Sequence, residues 1–201
     1  MKNIVGLVVC GGESSRMGMD KSLIVYHEKP QRYHVYDMLQ TICSEVYISC
    51  NKKQSPTIKV DYNKIEDFPL YENIGPMAAL LSAFKEFPEK DFILIACDYP
   101  FIKIEDIKLL IDEINLDQLV ACYHNTETNM SEPLLAYYSR DCFQLLLNSF
   151  NEKDYSLKNF LKKHNAKQIN PISVNRLKSI DTPEAYNEAL SQFIDIKKQS
   201  I

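Results

Sequence analysis

Val9 to Lys21 reads VCGGESSRMGMDK, and it follows an apolar run, Ile4 to Val9, with the length and composition of a buried strand. Three of the chain's five glycines, Gly11, Gly12 and Gly18, lie in this stretch beside Arg16 and Lys21. A polyphosphate needs that combination: bare backbone amides for close approach and fixed cations for its charge. The stretch is not a Walker A loop, which sets Gly directly before Lys-Ser, because Asp20 precedes Lys21 and Ser22. Nor does any G-x-G-x-x-G thread through it, so a dinucleotide fingerprint is excluded.

Outward from this loop, strand and helix patterns alternate. Helical patterns cover Gln31–Cys43, with Val35, Met38, Leu39 and Ile42 on one face, then Pro76–Phe87, Ile104–Ile114, Asp141–Phe150 and Leu157–Lys163. Ser156 is the expected cap of the last of these. Strand patterns cover Val46–Cys50, Lys59–Tyr62, Phe92–Cys97, Leu119–Tyr123 and Leu134–Tyr138. FILIAC, at 92–97, is a continuous apolar run of the kind found in central parallel strands. His124–Ser131 reads as a polar loop. After Ser179–Asp181 a final helix runs from Thr182-Pro183-Glu184 through Ile194, with its own cap and first-turn proline. The alternation predicts an open, mostly parallel α/β sheet covered on both faces, with residues 1–201 forming a single domain.

Composition narrows the function. The chain has 201 residues, 45% hydrophobic and 25% charged, with a net charge of −4, which argues against a nucleic-acid-binding surface. No apolar run approaches the ~18 residues of a membrane span, and MKNIV leads straight into a strand, so a cytosolic chain is expected. The six cysteines form no C-x-x-C pair and sit in apolar patterns as small hydrophobes. His27, His34, His124 and His164 are too dispersed for a metal cluster, and no G-x-S-x-G elbow occurs.

In open α/β sheets ligands bind outside the carboxyl ends of the strands. After the first strand comes the Gly-rich loop; after Val46–Cys50 comes Asn51; after the short strand comes Ile65-Glu66-Asp67; after FILIAC comes Asp98. Polar groups therefore converge on one edge. Asp98 leaves a buried strand where triphosphate oxygens would lie, and magnesium takes only one or two carboxylates, so Asp98 is the expected Mg2+ ligand. Arg16 and Lys21 are the cations that offset charge on a reacting phosphate and its leaving group.

The order G-G-x-S-x-R-M-G-x-D-K, together with C-D-Y-P at residues 97–100, resembles the signature of the molybdenum cofactor guanylyltransferases, the MobA family within the MobA-like NTP transferases. The resemblance runs from Ile4 to about Leu190. It implies a Rossmann-like three-layer α/β/α nucleotidyltransferase fold. It also implies Mg2+-dependent transfer of GMP from GTP to the terminal phosphate of molybdopterin carrying molybdenum, with release of pyrophosphate and with cofactor-delivering or cofactor-accepting proteins as partners. It assigns catalysis to Arg16, Lys21 and Asp98. It assigns nucleotide binding to Val9, Cys10, Gly11, Gly12, Lys21, Asn51, Asp67, Gly75 and Asp98. Asn51 and Asp67 fall on the nucleobase and ribose side, and Gly75-Pro76-Met77 near the purine. Glu132, Pro133, Ser179 and Asp181 fall around the acceptor and the second side of the metal site. The chain departs from the family pattern at Val9-Cys10, where Leu-Ala is usual, at Ala79, where Gly is common, and at Ser179 and Asp181, the latter replacing a frequent Asn. Competing expectations are the same chemistry on CTP or on a sugar or alditol phosphate, and a nucleotide-binding module without catalysis.

Overall fold

Two strands, β1 (Ile4–Val9), apolar throughout, and β4 (Asp91–Ala96), apolar after its first residue, lie side by side and parallel in the middle of a seven-stranded sheet. Both are covered on two faces, which is why neither shows the polar alternation of a half-exposed strand. The computed structural model describes residues 4–10, 20–115 and 117–199. The remaining strands are β2 (Glu45–Cys50), β3 (Lys64–Glu66), β5 (Val120–Asn125), β6 (Met130–Tyr138) and β7 (Lys167–Ile169). Their spatial order is β3-β2-β1-β4-β6-β5-β7, and β6 alone runs against the others.

Helices cover both faces. On one face lie α1 (Gln31–Gln40) and α3 (Ile104–Asp112); on the other lie α2 (Met77–Glu86), α4 (Cys142–Asn151) and α5 (Leu157–Lys163). Phe92 of β4 meets Phe84 of α2, which stacks on Phe143 of α4. Tyr138, opposite Phe92 in the ladder, meets Phe160 of α5. The expected three-layer α/β/α architecture is thus observed. Ser156 caps α5 through a 3.2 Å bond from the Asn159 amide. A last helix, α6 (Pro183–Gln199), is capped by the Thr182 hydroxyl, which accepts from the Ala185 amide at 3.2 Å.

Two local expectations are corrected, and one strand is added. Residues 59–62 form a turn, closed by Tyr62 N–H to the Lys59 carbonyl, and Val60 is 96% exposed; the strand is Lys64–Glu66. Its single buried side chain, Ile65, gives almost no periodicity to read, and pairing with β2 defines it instead. His124–Ser131 is not a loop throughout: His124 pairs with Ser131 and Asn125 with Met130 in a β5–β6 hairpin. Asn125 closes its turn, its side-chain oxygen accepting from the Glu127 and Thr128 amides at 3.0 and 3.1 Å. β7 has three residues, too short for a sequence pattern, and exists by parallel pairing with β5. All six cysteines are buried free thiols. Among the described residues no helix is long and apolar enough to cross a membrane.

Gly6 sets how closely α1 approaches the sheet. A Cβ there would stand 3.1 Å from Leu39 Cβ and 3.2 Å from Val46 Cγ2. Gly6→Val is therefore expected to destabilise the fold by about 1–3 kcal/mol through overpacking. In urea titration the midpoint should fall with an unchanged slope.

Candidate active site

The order of the sheet places a topological switch between β1 and β4. The chain builds outward from β1 through β2 to β3, then returns to β4 on the other side. At the carboxyl ends Val9 is in register with Ala96, and Cys97 N–H donates to the Val9 carbonyl at 3.0 Å. The crevice beyond such a point is the binding position of the architecture. It has two halves here.

The first half is a cavity of about 520 Å³ beyond β1, β2 and β3, large enough for a nucleotide. Val9, Asn51, Asp67 and Gly75, all expected to bind nucleotide, line it. Cys10 is buried directly behind, its amide bonded to the Ser49 carbonyl at 3.3 Å. Asp67 follows β3 and is tied back by its own amide to the Cys50 carbonyl at 2.9 Å. Its Oδ1 is buried without a hydrogen-bond partner. Burial, above all, raises this carboxyl from 3.8 to about 6; the Ser49 hydroxyl opposes the rise and Glu72 and Glu66 add to it. Asn51 is arranged otherwise. Its side-chain oxygen accepts from the Lys53 and Gln54 amides, both at 2.9 Å, so that oxygen holds the turn and the amide nitrogen is the group able to donate to a ligand.

Gly75 has φ +70, and a Cβ there would touch nothing within 4 Å. The glycine is required by backbone conformation rather than by space. It turns the chain into α2, whose first turn, including Ala78 and Ala79, walls the cavity. The Ala79 methyl therefore stands on the cavity wall.

The second half is a cluster of charges beyond β4. Lys21 Nζ lies 2.5 Å from Asp181 Oδ1, joining residues 160 positions apart. Asp181 Oδ2 accepts from the Ser179 hydroxyl at 3.1 Å, and Ile180 N–H donates to the Asp98 carbonyl at 2.8 Å. Asp98 Oδ1 is buried without a partner. Its carboxyl rises from 3.8 to about 7, first by burial and then by the Asp181 charge, with Lys21 pulling it back. Glu132 accepts from the Tyr99 hydroxyl at 2.7 Å, and burial raises its carboxyl too.

A bulge brings Glu132 here: the β5–β6 register jumps from Cys122↔Ala136 to Tyr123↔Glu132. Pro133 sits inside that bulge, buried, with its carbonyl taken by the Tyr138 hydroxyl at 2.9 Å. The structure thus joins Lys21, Asp98, Glu132, Ser179 and Asp181, and leaves Pro133 as a backbone element of the bulge. Gly11, Gly12 and Arg16 lie outside the described residues.

Gln54 links the two halves and was not anticipated from the sequence. Its Oε1 accepts from the Asn51 amide at 3.2 Å and its Nε2 donates to Asp20 Oδ2 at 3.1 Å. Asp20 Oδ1 in turn caps the short turn that carries Lys21, accepting from the Ser22 amide at 2.9 Å. The signal available was position alone, four residues past the end of β2.

Residues 6–168 match the family model of the MobA-like NTP transferase domain. The chain belongs to that family. It is a nucleotidyltransferase. It is similar to the "Molybdenum cofactor biosynthesis bifunctional protein" of Synechocystis sp., with 29% identity over 189 residues covering 92% of this chain and 53% of that protein. The chain thus spans about half the length of this relative. It is also similar to the "Probable molybdenum cofactor guanylyltransferase" of Nostoc sp., with 25% identity over 205 residues covering 98% and 95% of the two chains. The crystal structure of molybdopterin-guanine dinucleotide biosynthesis protein A from Archaeoglobus fulgidus shares the fold, with a TM-score of 0.77 at 20% identity over 93% of this chain and 97% of that one. Ser179, Asp181 and α6 lie beyond the matched residues of the family domain.

The buried carboxyl of Asp67 has a consequence for stability. It titrates near 3.8 unfolded and near 6 folded, so its contribution is fully present below 3.8 and is lost as pH rises through 6. Asp67→Asn is expected to raise the melting temperature at pH 8. For a half-buried group the effect is about 1 kcal/mol, or roughly 2–4 °C. At pH 4 the gain should shrink toward zero; a lower melting temperature at pH 8 would show the carboxylate to be stabilising instead.

Proposed function

We propose that the chain transfers GMP from GTP to the terminal phosphate of molybdopterin carrying molybdenum, forming the guanine dinucleotide and releasing pyrophosphate. The observation that carries the choice of base is Asp67. A desolvated carboxyl with a partnerless oxygen, lining a nucleotide-sized cavity, is stabilised by a ligand edge rich in N–H donors. Guanine presents N1–H and the N2 amino group together; adenine does not. The names of the similar proteins supply the acceptor.

The chemistry follows from the charged half. An oxygen of the acceptor phosphate attacks the α-phosphorus of GTP, the new P–O bond forms, and the bond from that phosphorus to the α–β bridging oxygen breaks. The acceptor oxygen is already anionic, so no side chain need remove a proton. Lys21 offsets charge on the phosphates, and Arg16 is assigned the same role. Glu132 and Ser179 stand on the acceptor side. A divalent cation fits the residues present: Asp98 has an orphaned buried oxygen, and the neighbouring Asp181 charge holds its carboxyl up, a repulsion that a hard cation relieves. Asp98 and Asp181 would hold Mg2+, which when bound would draw charge from the phosphate oxygens. Among the described residues no group of three metal-ligating side chains occurs, consistent with a cation that completes its shell from phosphate and water.

One observation favours a second reading of the base. The Ala79 methyl narrows the cavity wall and suits a smaller base, which makes CTP the competitor.

Calorimetric titration with GTP, CTP, ATP and UTP, each with Mg2+, decides between them. GTP is expected to bind tightest, with the preference lost in Asp67→Ala. Preference for CTP keeps the reaction class and overturns the base. Asp98→Ala is expected to lower the transfer rate by about 10²–10³-fold or more while circular dichroism stays unchanged. Near-normal turnover in that variant would remove Asp98 from the metal site.

A further inference from the structure

The described buried apolar residues form two clusters rather than one. The large one fills the space between sheet and helices. The small one joins Ile24, Tyr26 and Ile180 with Phe101, Tyr186 and Phe193. Its members come from three segments, each continuing a segment that carries a charge of the active site. Ile24 and Tyr26 follow Lys21, Phe101 follows Asp98, and Ile180 directly precedes Asp181.

Phe193, on α6, is where the three segments meet. Its ring lies parallel to that of Phe101, with centroids 5.0 Å apart at 2°. It packs on Tyr26 at 5.6 Å and meets His27 edge-on at 4.8 Å. His27 stacks on His34 of α1 at 3.7 Å, and its Nε2 lies 3.2 Å from the Pro100 carbonyl, which anchors the small cluster to the rest of the fold. None of these rings lines the nucleotide cavity, whose walls come from elements of the large cluster.

We propose that Phe193 is a positioning residue: through Phe101, Tyr26 and His27 it clamps the segments that hold Lys21, Asp98 and Asp181 at one point. The clamp belongs to α6, outside the matched family domain. Loosening it separates two functions. The base cavity keeps its walls, while the charged groups lose their common anchor, so metal binding and transfer fail before nucleotide binding does. The proposal rests on the guanylyltransferase reading only for the transfer step.

The test uses the full chain with Phe193→Ala, with Phe193→Leu as the milder variant should the first fail to fold, and Phe193→Tyr as the conservative rescue. Three quantities are read: GTP affinity with the metal chelated, Mn2+ affinity by electron paramagnetic resonance, and kcat against KM for GMP transfer. Metal-free GTP affinity should stay within about twofold. Mn2+ affinity and kcat should fall by about 10–100-fold with KM nearly unchanged, as for residues that orient metal ligands, and Phe193→Tyr should restore both. Amide exchange should quicken at residues 21–26 and 98–101 and not at 45–50. Unchanged Mn2+ affinity, or equal loss of metal-free GTP affinity and uniform quickening of exchange, overturns the clamp. A wild-type chain that binds Mn2+ and GTP but transfers no GMP defeats the guanylyltransferase reading alone, and the metal and exchange arms still judge the clamp.

Discussion

The in-register pairing of β1 with β4 is the constraint from which the active site follows. Because β1 is apolar along its whole length and β4 is apolar from Phe92 to Ala96, each has to be covered on two faces, and the middle of the sheet is where that is possible. Parallel pairing then sets their carboxyl ends side by side, so Cys10 and Asp98 emerge at one point. The register from Ile4↔Asp91 to Val9↔Ala96 has no slip. A one-residue shift would reverse every side chain of a strand and expose part of the core, so hydrophobic burial indirectly fixes where Cys10 lies relative to Asp98.

Two carboxyls at this edge are held in conditions that disfavour their charge. Asp67 is pushed to about 6 and Asp98 to about 7, both chiefly by loss of water, and each has an oxygen without a partner. By contrast Asp106, an acid 1% exposed, is paired with Arg176 at 3.0 Å and accepts from the amide of Lys103 at 2.8 Å. The contrast separates structural acids from acids awaiting a ligand. It also separates the two waiting acids by chemistry. Asp67 has the Ser49 hydroxyl and the Glu66 and Glu72 charges around it and suits N–H donors; Asp98 has the Asp181 carboxylate and Lys21 beside it and suits a cation.

The chemistry of the site was more legible in the sequence than its assembly. The Gly-rich stretch and the acid after FILIAC are local, and each residue type there has a physical reason for its position. Most elements were equally legible because long apolar periods leave little choice. What was not legible depended on partners distant in the chain. β3 and β7 are three-residue strands created by pairing with β2 and β5. The bulge that delivers Glu132 depends on a register jump between two strands that look ordinary apart. Asn51 lines the cavity, but its oxygen is engaged by two amides of its own turn, a commitment that only the folded backbone reveals.

The pairing of Lys21 with Asp181 is the extreme case, and it bears on how the domain is completed. The ion pair spans 160 residues, and its acidic member lies beyond the matched family domain. Coulombic attraction between partly exposed groups is too weak to bring such distant segments together, being worth about 0–1 kcal/mol at a surface. Something else has to bring residue 181 to residue 21, and the aromatic cluster around Phe193 is the apolar contact positioned to do so. In the large cluster, burial builds the sheet and the cavity. In the small one, a separate and thinner layer of burial gathers charges that would otherwise repel or drift in water. The cavity and the charged cluster therefore rest on different apolar contacts, even though one crevice contains both.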